Sequence, residues 1–210
     1  YNSIIVSTMR PRGARVSERS SVWSKEKEAA PRRPAEDGGQ EMFETGSLIV
    51  YGNSGICRVE GVSMKQQLGG GGQAMYYTLT PLFGSGTVYT PVDTKVFMRP
   101  VITGEEAQDL IRRMPEIEPC CCSGTDQRAL SEHYRGLLHT YQCESLVKII
   151  KAVYLKAQQA AAKGKKLGKT DQQFMKRAEE LLYEELSLAL DMPKDQVKDH
   201  ILQTLEPAAQ

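Results

Sequence analysis

The chain has 210 residues, 25% of them charged, and a formal net charge of +1. That length suits two modest domains, and no apolar run approaches the ~18 residues of a membrane span. Five cysteines, three of them adjacent, make a poor disulfide framework and fit a reducing, cytoplasmic compartment.

Residues 1–41 are rich in Arg, Ser, Glu and Pro and show no sustained period. They are expected to be a disordered extension, with the structured part beginning at Met42. Tyr1 to Val6 is too short and too polar for the apolar core of a signal peptide.

Short β-rich runs follow. Leu48–Tyr51 and Ile56–Val59 flank Gly52-Asn-Ser-Gly55, which reads as a tight hairpin turn. Gly69 to Gly72 is a flexible tip, and Met75–Thr80, Thr87–Val92 and Lys95–Arg99 supply three further strands. Five short strands joined by glycine turns predict a small Tudor- or SH3-like barrel over residues 42–104. Pro91 puts its strand at an edge, because proline has no ladder donor.

Thr103-Gly-Glu-Glu106 is a capping box that opens a helix, with Ala107, Leu110, Ile111 and Met114 on one face. Pro115 stops it, and the helix with its linker occupies 103–125. The remainder, 126–206, predicts a helical bundle. Its helices are Asp126–Tyr141, Cys143–Ala162, one capped by Thr170-Asp-Gln-Gln173, and one opening near Pro193. The fold class expected is α+β, a small β-barrel domain followed by an all-α bundle.

The last third is electrically lopsided. From Arg128 to Arg177 there are 11 basic and 3 acidic residues, a net of +8; from Ala178 to Gln210 there are 2 and 8, a net of −6. A basic block of this kind points to a polyanion-binding face. Arg128 and Arg135 share a helix face, and Lys148, Lys151 and Lys156 lie off the apolar stripe of the next helix. Lys163, Lys165, Lys166 and Lys169 crowd one interhelical loop, and Lys176 and Arg177 follow. Such rows suit phosphates along a duplex, with little base readout.

Other chemistry is poorly supported. Lys163 to Thr170 lacks the glycine spacing and the preceding strand of a phosphate loop. Cys120, Cys121 and Cys122 cannot all face one ion, so with Cys143, His133 and His139 they read as free thiols and ordinary histidines. No Ser-His-Asp or Cys-His arrangement is defensible, and the carboxylates are explained by caps and solvated faces. The expectation is no enzyme, no cofactor and no metal.

Five segments, Met42–Val62, Tyr76–Leu82, Thr87–Asp93, Met98–Thr103 and Met114–Ile117, together resemble the CarD/CdnL family of bacterial transcription regulators. Lys176–Leu186 is similar to a Firmicute-like version of it. The resemblance implies a Tudor-like domain that binds the β subunit of RNA polymerase, similar to a domain of the transcription-repair coupling factor. It also implies a helical domain that contacts promoter DNA and stabilises the open complex, notably at ribosomal RNA promoters. By position, the implied polymerase contacts are Lys65, Val88, Tyr89, Thr90 and Pro91, where an exposed edge would allow strand addition. Two departures stand out. Tyr89 replaces a family arginine, and Cys120–Gln127 holds no aromatic residue where members often carry a tryptophan wedge. The chain so read is a monomer with two partners, polymerase β and duplex DNA, and no membrane. The alternatives are a nucleic-acid-binding adaptor, or a protein-interaction module, without polymerase contact.

Overall fold

The computed structural model describes residues 42–66, 72–120 and 127–205. The disorder expected for 1–41, most of the glycine tip and most of the Cys120–Gln127 stretch lie outside them. The described chain is α+β, a five-stranded antiparallel sheet followed by five helices.

The strands are β1 (Leu48–Tyr51), β2 (Gly55–Gln66), β3 (Gln73–Pro81), β4 (Val88–Pro91) and β5 (Met98–Pro100). Alternation sorts their side chains. Cys57, Val59, Tyr77 and Leu79 turn inward and are buried, while Arg58, Thr78 and Tyr89 turn outward. The β1–β2 turn is a single 3-10 turn, Gly52–Ser54, with positive φ at Gly52 (40°) and Gly55 (76°). Gly52 has a second constraint: a Cβ there would stand 2.8 Å from Val96 Cγ1. The β2–β3 ladder slips between Val59 and Gly61, a bulge that bends the sheet.

The sheet does not close into the expected barrel. Its order is β4-β3-β2-β1-β5, so β4 and β5 are edges and do not pair with each other. Pro91 ends β4 and Pro100 ends β5, and neither has the N–H that a closing ladder would need. β5 is only three residues long, and its Arg99 is committed to the helical half instead.

The helices are α1 (Gly104–Arg113), α2 (Gln127–Leu138), α3 (Cys143–Ala162), α4 (Lys169–Ala189) and α5 (Lys194–Leu205). The capping box forms: the Glu106 amide donates to Thr103 Oγ1 at 3.2 Å, and the Thr103 amide donates to Glu106 Oε2 at 2.8 Å. The buried apolar residues make two clusters. One lies under the sheet around Ile49, Tyr77 and Leu79; the other gathers α1 to α5 around Ile111, Ile149, Val153 and Leu186. Burial of α3 includes Ile149, Lys151 and Ala152 as well as its expected stripe, so neighbours cover α3 on more than one face. Among the described residues no helix is long and apolar enough to cross a membrane.

Candidate functional site

The β4 edge comes first. Among the described residues β4 pairs only with β3, through Val88↔Leu79, Tyr89↔Thr78, Thr90↔Tyr77 and Pro91↔Tyr76. Its other side therefore presents backbone groups without a strand partner. Alternation divides the five polymerase-contact residues expected here. Tyr89 is 56% exposed on the outer face. Lys65, from β2, reaches over the intervening strand and holds Nζ 3.3 Å from the centroid of the Tyr89 ring. That contact brings two of the expected residues together and fixes the ring by cation–π attraction. Pro91 shares the Tyr89 face and is half-buried. Val88 packs on the sheet core, and Thr90 is buried opposite Tyr77. Neither side chain faces a partner; these two residues can offer only backbone. Met64 and Met75, paired in register and both exposed, lie near this edge and are absent from the expected set. Two exposed methionines on facing strands are a readable signal for an adaptable contact surface.

The basic set divides as well. Lys151 is 4% exposed, and its ammonium donates to the carbonyls of Met114, Pro115 and Ile117 at 3.1, 3.1 and 2.5 Å. Burial pulls its pKa below the ordinary lysine value, against a smaller upward pull from Glu118. The reading of Lys151 as a DNA contact is corrected: it caps the carbonyl end of α1 from inside the bundle. Lys156 is also withdrawn. It donates to Tyr134 Oη at 3.1 Å and to Asp171 Oδ1 at 3.2 Å, while the Tyr134 hydroxyl donates to the same carboxylate oxygen at 2.9 Å. This network ties α2, α3 and α4 together.

Others are paired along their own helices: exposed Arg128 with Glu132, half-buried Lys148 with Glu144, and exposed Lys176 and Arg177 with Glu180. Lys163, Lys165, Lys166 and Lys169 are exposed in and beside the α3–α4 turn and make no ion pair among the described residues. The Thr170 hydroxyl donates to Gln127 Oε1 at 3.0 Å, which brings the start of α2, and Arg128 with it, beside that turn. Arg135 is exposed near the other end of α2.

A third feature went unread in the sequence. Arg99 on β5 donates from Nη1 and Nη2 to the two carboxylate oxygens of Glu185 on α4, and from Nε and Nη2 to the Tyr141 carbonyl. Burial opposes the Arg99 charge, but the hydrogen bonds and charge of Glu185 more than offset it and hold its pKa above the ordinary value. The Cys143 thiol donates to Glu185 Oε2 at 3.1 Å, and the Ile102 amide to Oε1 at 3.2 Å. Burial first, then the Glu185 charge, pushes the Cys143 thiol well above the usual thiol range, so it is protonated at neutral pH. Tyr141 accepts from Arg99 with a positive φ of 53° and stacks on Phe97 at 5.0 Å between ring centroids. The sheet is thereby clamped to the bundle through a buried ion pair.

No metal-holding group of His, Cys, Asp and Glu occurs among the described residues. No curated protein matches the chain. Residues 43–102 match the family model described as the CarD-like/TRCF RID domain, a span that holds β1 to β5 and ends just before α1. The RID domains are non-catalytic and interact with the β subunit of RNA polymerase. Through this sheet unit, residues 43–102, the chain carries a CarD-like/TRCF RID domain.

Proposed function

We propose that the chain is a non-enzymatic transcription regulator that bridges RNA polymerase and promoter DNA. Its sheet unit, residues 42–104, binds the polymerase β subunit along the β4 edge. Its helical unit, 126–206, binds the duplex backbone and so stabilises the open complex. The observation that carries the first half is the coincidence of a CarD-like match with an unpaired β4 edge bearing the Lys65–Tyr89 pair. Backbone pairing along the edge would supply affinity, and Tyr89 a side-chain anchor.

The second half rests on the four lysines of the α3–α4 turn, with Arg128 beside them. This is a smaller surface than the +8 block suggests, because Lys151 and Lys156 serve the fold. If ~3–5 phosphates are neutralised, log K should fall with log salt at a slope of about −3 to −4.5. Such contact alone would be weak, with Kd on the order of 10⁻⁴–10⁻⁶ M at physiological salt. Tethering to polymerase would supply an effective concentration near ~1 mM and make it useful.

The test is open-complex lifetime on a ribosomal RNA promoter. Adding the chain should lengthen it, and Lys165→Gln/Lys166→Gln should remove much of the gain while leaving polymerase binding intact. An unchanged lifetime with saturating wild-type chain would refute the bridging reading.

A further inference from the structure

A cavity of about 90 Å³ lies where the sheet meets the helices. Ile56 from β2 and Leu138, Leu146 and Leu181 from the helices form much of its wall. Four charged side chains complete it: Arg99, Glu185, Arg135 and Arg177.

These charges do not balance. Glu185 is only 3% exposed, and both its oxygens are already occupied by Arg99, Cys143 and the Ile102 amide. Arg135 has no ion pair among the described residues. Arg177 has only a loose one, 3.7 Å from Glu180 Oε2. Two guanidinium groups thus border a partly apolar space whose one carboxylate belongs to a third arginine. A guanidinium beside low-dielectric walls favours a carboxylate or phosphate that can take its paired N–H donors. The volume sets the size of the occupant. It is several times the ~10–15 Å³ that admits one water, and below the ~150 Å³ of a cavity that takes benzene.

We propose that this junction binds a small organic anion, a carboxylate with a short unbranched apolar tail and fewer heavy atoms than benzene. The headgroup meets Arg135 and Arg177, and the tail lies against Ile56 and Leu181. An occupant touches the sheet and two helices at once, so it stiffens the angle between the two halves. Arg135 and Arg177 belong to the basic rows expected to face phosphates, but the turn lysines and the β4 edge, on which the proposed function rests, take no part in the inference.

The test uses the full chain with propionate as the probe and propan-1-ol as its uncharged counterpart, followed by NMR titration. Propionate should bind saturably with Kd on the order of 1 mM, a strength within reach of so few heavy atoms. The alcohol, and propionate against Arg135→Gln or Arg177→Gln, should bind about tenfold more weakly, as expected on losing a charge-assisted pair. Shifted signals should include Ile56 and Leu181. Both arginines are exposed, so the variants should keep the wild-type spectrum elsewhere. Equal binding of acid and alcohol, affinity unchanged in both variants, or no saturation by about 10 mM would overturn the proposal.

Discussion

Arg99 and Glu185 are 86 positions apart in sequence and form a two-point ion pair, with side chains 15% and 4% exposed. The pair, with the Tyr141 carbonyl beside it, ties β5 to the bundle. Breaking a buried pair from one side strands the other charge, which costs about 3–5 kcal/mol. Arg99→Met and Glu185→Gln should each lose about that much in urea unfolding, whereas Arg99→Met/Glu185→Leu should recover part of it. Losses below about 1 kcal/mol in both single variants would mean the pair behaves as a surface contact.

Lys151 offers a test that separates architecture from binding. Lys151→Met leaves three carbonyl oxygens at the end of α1 without their donor and should cost about 1–3 kcal/mol. DNA affinity of the folded variant should be unchanged. Lys165→Gln/Lys166→Gln should do the reverse, leaving stability alone and making the salt slope shallower by up to about 2. A Lys151→Met protein of full stability but weakened DNA binding would restore the surface role that its burial argues against.

These two residues also mark where sequence reading succeeds and stops. β1 and α3 have the bounds that local pattern predicts, and the Thr103–Glu106 box forms as the spacing requires. Local chemistry decides such features. Lys151 was misjudged because an amphipathic stripe shows which face of α3 is most apolar, not how many neighbours cover the rest. Ile149 and Ala152, outside that stripe, were the available signal of a helix covered on more than one face. Arg99–Glu185 was not legible at all, since nothing local links β5 to α4. The barrel was over-read for a similar reason. Strand count says nothing about whether the two end strands meet, and Pro91 and Pro100 sit where they would have had to pair. At the candidate site the edge position of β4 was legible from Pro91, but the inward turn of Thr90 needed the register.

Glu179 on α4 should give the chain a mild pH dependence. Burial raises its pKa above 4.5; the Lys198 charge works against this and Glu180 with it. Its folded pKa therefore exceeds the unfolded one. Stability from this group is full below about 4.5 and is lost as pH rises through the folded value. Glu179→Gln should raise Tm at pH ~7, and the gain should vanish as pH falls to the ordinary glutamate range. A gain that persists unchanged through that range would assign the effect to packing rather than to charge.

The central claim concerns the β4 edge, and the affinity of the chain for isolated polymerase β subunit, measured without DNA, tests it most directly. The account predicts saturable binding by the wild-type chain. Tyr89→Asp, which destroys the exposed anchor and its contact with Lys65, should weaken that binding about tenfold or more without loss of fold. No binding by the wild-type chain, or equal binding by a folded Tyr89→Asp variant, would contradict it.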